Sequence, residues 1–209
     1  MLKLFDTCIV PIILYGSEVW APFMNHDWVK WDTTQTEKIH TQFLKRLLGV
    51  NRSTTNVITR SEMGRHSLQE SIVTRNINYI KYVESKGPLS LVKQAANYEA
   101  LNTENRNSFY SSIKKWERVL PNHNIKMISR RKLNKLVKDE FDNTWKTQVA
   151  SFPKADIYSL FKDQVNFENY LYDIKSRKHR VTFSKFRLSD HCLMVEKGRG
   201  HVHKYVASL

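Results

Sequence analysis

Three kinds of chemistry are open to the side chains of this sequence by type and spacing: carboxylate-held metal catalysis, metal binding by soft ligands, and anion binding by clustered cations. Asp139, Glu140 and Asp142 are the densest acidic group. Phosphoryl chemistry needs carboxylates that converge on divalent ions, and these three share a helical pattern with Lys135, Lys138 and Lys146. That setting reads as a solvated, salt-bridging face. His191, Cys192, His201 and His203 place four soft donors close together, without the paired ligands that close a zinc knuckle. There is no glycine-rich phosphate loop and no Gly-x-Ser-x-Gly elbow. The expectation is no catalytic residue, no metal site and no cofactor.

The cations are better candidates. Lys45, Arg46, Arg52, Arg60 and Arg65 surround a turn at residues 51–56, where hydroxyls, amides and guanidinium groups could reach phosphate oxygens. Arg130, Arg131, Lys132, Lys135 and Lys138 have basic helical spacing, which also fits nuclear import or a solvated helix. The strongest group is Lys175, Arg177, Lys178, Arg180, Lys185 and Arg187, six cations with no acid between them and with Phe183 and Phe186 interleaved. Cations track a phosphate backbone, and aromatic rings stack on bases. The bland alternative for each group is a solvated surface.

Composition agrees with an anionic partner. The chain of 209 residues has a net charge of +14 and a pI near 9.8. Residues 1–50 carry five charges of each sign, so the whole excess lies downstream. Nucleic acid is the expected partner, because each neutralised phosphate releases counterions; an anionic membrane surface ranks second. The apolar run 8–15 is well short of the roughly 20 residues that cross a bilayer, and its flanks do not read as a signal peptide. No membrane partner is expected. Two distant cysteines, Cys8 and Cys192, form no disulfide framework, which suits an intracellular setting, cytoplasmic or nuclear.

The elements that must position these residues read as helices. Leu2, Phe5, Ile9, Ile12, Ile13 and Gly16 recur at three- and four-residue steps, giving an apolar helical face with a bend at Pro11. Trp20, Phe23, Trp28 and Trp31 follow in an aromatic connection. Thr34 with Glu37 and Ser67 with Glu70 have capping-box spacing. The first helix should bury Ile39, Phe43, Leu44, Leu47 and Leu48, turn Lys38, Gln42, Lys45 and Arg46 outward, and end at a left-handed Gly49. The second should bury Leu68, Ile72, Ile80 and Val83 and end at Gly87-Pro88. Further helices are expected at 57–63, 91–101, 109–120, 131–149 and within 167–195. The chain is read as all-α: a helical, thumb-like bundle over residues 1–100 and a basic helical region over 101–209.

Residues 11–20 (PIILYGSEVW), 37–50 (EKIHTQFLKRLLGV) and 52–56 (RSTTN) resemble, in order and spacing, the region just after the polymerase core of non-LTR (LINE-type) retrotransposon reverse transcriptases. Residues 186–199 (FRLSDHCLMVEKGR) resemble the segment before the C-terminal zinc knuckle of that family. The resemblance implies a thumb-like module that grips a template–primer duplex (RNA, DNA or hybrid), with the missing polymerase palm as a further partner. It implies that the Tyr-x-Asp-Asp strand of the family lies upstream of Met1, so the chain is expected not to be an enzyme. Residues 200–209 depart from the pattern, with no Cys-x-x-Cys. A thumb without its palm should leave part of the apolar face of residues 2–20 exposed.

Overall fold

The structure, a computed structural model, describes residues 1–21, 28–101, 128–152 and 156–190. The described residues are predominantly helical, as expected, and contain no strand; a single isolated bridge pairs Met63 with Phe167. The helix expected at 109–120, Phe23 of the aromatic connection, and His191, Cys192, His201 and His203 lie outside the described residues. The helices are α1 (Leu2–Leu4), α2 (Val10–Ile13), α3 (Ser17–Trp20), α4 (Trp28–Trp31), α5 (Gln35–Leu48), α6 (Asn56–Glu62), α7 (Leu68–Glu84), α8 (Leu91–Leu101), α9 (Arg130–Ala150), α10 (Asp156–Phe161), α11 (Tyr170–Asp173) and α12 (Arg177–Arg187). The chain divides into two compact units, one of residues 1–38 with 67–143 and one of residues 39–66 with 144–209. Neither coincides with the halves on either side of residue 100.

In the first unit, α1 and α2 are joined by a π-helical turn, Phe5–Ile9. That turn corrects the expected apolar face. A π-turn adds one residue to the helical repeat, so positions beyond it slip by one. The buried set is Phe5, Leu14, Ser17 and Ala21, with Val10 and Ile13 packed beside it, while Ile9 and Ile12 face outward. Leu4, Ile9, Ile12, Tyr15 and Val19 are exposed, so part of the apolar surface of residues 2–20 faces solvent. Pro11 sits in the first turn of α2, directly after the π-helical turn.

Two apolar clusters flank α7. Leu68 and Ile72 pack with Leu14, Ala21 and Trp31; Val73 and Ile77 pack with Leu133, Val137 and Phe141 of α9. Each leucine, isoleucine, valine and phenylalanine of these clusters contributes about 1.5–3 kcal/mol on burial. The start of α5 is held by half of the expected capping box, with the Glu37 amide donating to Thr34 Oγ1 at 3.3 Å. The Glu37 carboxylate is fully buried. Its Oε2 accepts from Trp31 Nε1 (3.0 Å), Ser67 Oγ (3.0 Å) and the Leu68 amide (2.9 Å), so one acid ties the N-termini of α5 and α7 together. Ser67 caps α7 as expected, accepting from the Gln69 amide.

Candidate nucleic-acid interface

Every cation of the two candidate site clusters lies in the second unit. Its centre is polar. Helix α6 buries Glu62 completely, at 0% exposure, and this carboxylate collects donors from far along the chain. Tyr158 of α10 donates to Oε2 at 2.9 Å, and Arg187 of α12 donates through Nε to Oε1 at 2.6 Å. Arg187 also reaches Glu168 at 3.1 Å, its side chain only 12% exposed. Lys162 Nζ donates to Glu168 (2.5 Å) and to the carbonyl (2.7 Å) and side chain (2.9 Å) of Asn166. Two carboxylates and two cations close a neutral set.

Burial and then the Glu62 charge push the Tyr158 and Tyr170 hydroxyls well above the ordinary phenol range. Burial holds Lys162 below the ordinary lysine value, against the favourable pull of Glu168. Burial also works against the charge on Arg187, but Glu62 and Glu168 outweigh it and raise its pKa. The chain backbone keeps this centre tight. Gly64 has φ +62°, and a Cβ there would lie 2.8 Å from the Asn166 carbonyl carbon and closer still to the Phe167 amide. The Glu168 amide donates to the Glu62 carbonyl beside it. These contacts fit a structural clamp.

Helix α12 is pinned along one face. Arg187 enters the clamp, Ser184 shares a hydrogen bond with Tyr170 at 2.9 Å, and Phe183 meets the Tyr170 ring edge-on at 4.7 Å. Arg180 donates to the carbonyls of Ile174 (3.1 Å) and Leu171 (3.4 Å), satisfying backbone acceptors where α11 ends. At the end of α5, Gly49 takes φ +71°, the expected left-handed cap, so close to Val181 that a Cβ would sit 2.6 Å from that side chain. Asn51 donates from its amide and its side chain to Asp190, both at 2.7 Å. The two basic clusters, more than a hundred residues apart in sequence, therefore belong to one packed body.

This geometry sorts the candidate cations. Lys45 is buried and donates to the Arg52 carbonyl at 2.8 Å, against the expectation that it faces outward. Arg60 is buried as well. With Arg180 and Arg187, these cations serve the protein's own acceptors and interior. Arg65 is half-buried. Arg46, Arg52, Lys175, Arg177 and Lys178 are exposed and Lys185 is half-buried, leaving them on the solvent side. Lys175 leans its ammonium over the Tyr172 ring at 4.2 Å. The first turn of α12 carries cations and no acid, an arrangement that opposes the helix dipole by a few tenths of a kcal/mol per charge and that an anion would relieve. On α9, Arg130, Arg131, Lys132, Lys135 and Lys138 are exposed.

Sequence reasoning did not single out Glu62, Tyr158, Lys162, Glu168 or Tyr170. The available signal was a glutamate inside the otherwise well-buried helix of residues 56–62. No protein-family model, curated protein or solved structure matches this chain. No helix among the described residues is long and apolar enough to cross a membrane.

Proposed function

We infer that this protein is a non-catalytic nucleic-acid-binding module that grips phosphate backbone through the solvent side of α12 and the residues leading into it. The observation that carries the reading is the sorting of cations on one helix. Arg180 and Arg187 are consumed by packing, whereas Lys175, Arg177 and Lys178 face solvent in a stretch, 174–189, without a single acidic residue. Arg46 and Arg52 extend the solvent-facing set. The resemblance of residues 11–56 and 186–199 to LINE-type reverse transcriptases supports the same reading and suggests a class: a thumb and post-thumb fragment of an RNA-directed DNA polymerase.

A second reading, a protein-interaction remnant without independent activity, is favoured by the exposed Leu4, Ile12, Tyr15 and Val19. Titration of purified protein against DNA duplex and RNA–DNA hybrid at several salt concentrations separates the two. Binding should weaken steeply with salt, and the variant Lys175→Ala/Arg177→Ala/Lys178→Ala should lower the log–log salt slope on duplex DNA by about 3. Absent or salt-insensitive binding would leave the second reading standing.

A further inference from the structure

The solvent side of α12 carries more than charge. Lys178, Thr182 and Phe186 follow one another at four-residue steps, so they form a single stripe with cation at one end and ring at the other, about 12 Å apart along the axis. Phe186 is 52% exposed. Tyr172, just upstream, is 73% exposed and has the Lys175 ammonium on its ring. Phe183 meets the Tyr170 ring edge-on, while Phe186 and Tyr172 each keep more than half of their surface in solvent. Exposed rings interleaved with solvent-facing cations suit a ligand that offers flat π-faces and negative charge at short intervals.

We propose that this face takes an unpaired stretch of nucleic acid, stacking bases on Phe186 and Tyr172 while Lys175, Arg177 and Lys178 neutralise the adjoining phosphates. In a duplex the base faces are occupied by neighbouring bases, so only the phosphate contacts would remain. The proposal rests on the nucleic-acid reading above and adds to it a preference for single strands. An acidic protein segment is the competing occupant, since it offers charge but no bases.

The test compares full-length protein binding to oligo-deoxythymidine, to a mixed-sequence duplex of equal length and to poly-glutamate at matched salt. Variants Phe186→Ala and Tyr172→Ala change exposed side chains and leave the clamp intact. The expected result is tighter binding of the single strand, with each ring substitution weakening it about 5- to 150-fold while duplex binding changes less than twofold. Phe186→Trp should keep the affinity, and its added indole fluorescence should be quenched by the bound oligonucleotide. Equal or tighter duplex binding with no effect of either ring variant overturns the stacking proposal and leaves the backbone-gripping reading intact. Binding of poly-glutamate as tight as that of the oligonucleotide overturns the proposal in favour of an acidic protein partner. Binding to neither nucleic acid overturns both readings.

Discussion

The replacement Arg187→Met separates the cations that build the second unit from those that face solvent. Methionine keeps an unbranched stem and removes the guanidinium, whose carbon lies 5.9 Å from the Phe161 ring centre and 5.5 Å from that of Tyr170. Glu62, at 0% exposure, would lose the 2.6 Å donor on Oε1 and the 3.4 Å donor on Oε2 and keep Tyr158 on Oε2. Glu168 would lose one donor and keep Lys162. Removing one partner of a buried ion pair costs about 3–5 kcal/mol, because a charge is left buried without compensation. Urea unfolding should show that loss as a lower midpoint with an unchanged m-value. In the double variant Glu62→Gln/Arg187→Met the glutamine is neutral and can still accept from Tyr158, so the double loss should fall short of the summed single losses by about 0.5–3 kcal/mol. Lys178→Met should move stability by less than about 0.5 kcal/mol, yet weaken nucleic-acid binding. A loss below about 0.5 kcal/mol for Arg187→Met, or strict additivity with Glu62→Gln, would refute the clamp.

Two further outcomes follow from the same unit. Gly64→Ala combines a left-handed backbone, costing about 1–2 kcal/mol, with overpacking against the backbone at 166–167, costing about 1–3 kcal/mol; a destabilisation under about 1 kcal/mol in thermal or urea unfolding would contradict that close approach. At alkaline pH the raised phenols of Tyr158 and Tyr170 keep their protons in the native state after the unfolded chain has lost them at about 10.0. Their contribution is therefore fully present below pH 10.0 and is lost as pH rises above it, at about 1.4 kcal/mol per pH unit for each retained proton. Lys162, lowered from 10.5, acts in the opposite sense only between its lowered value and pH 10.5. Stability should thus fall most steeply above pH 10.5, and phenolate absorbance should show two tyrosines ionising only with unfolding. Ionisation of all tyrosines together in folded protein would refute this account.

Local signals made most of the helices legible. Ser67, Thr34 and Gly49 act within a few residues of themselves, so α5 and α7 stand where capping and periodicity place them. The first helix shows the limit of the same logic. Its composition was read correctly, but a π-turn at Phe5–Ile9 has no signature in apolar spacing, and it shifts every later inward position by one.

The candidate interface was legible as a stretch and illegible as a surface, because a lysine or arginine reads the same whether water, a carbonyl or a carboxylate receives it. What decides is a partner elsewhere: Glu62 lies 125 residues from Arg187. Periodicity holds part of the answer. Arg180, Val181, Ser184, Arg187 and Leu188 recur at helical steps, and in the folded chain that set is the pinned face of α12. The remaining positions, Lys178, Thr182 and Phe186 among them, are then the outward face by exclusion. One helix consequently has two populations of cation under opposite constraints. The inward ones lose their function if their acceptors are removed and are insensitive to salt because they are buried. Of the outward ones, Arg177 and Lys178 sit unfavourably in the first turn of their own helix, a cost that phosphate would relieve on the proposed reading. Substitutions in the two groups should therefore move different observables, unfolding midpoint for one and salt-dependent affinity for the other.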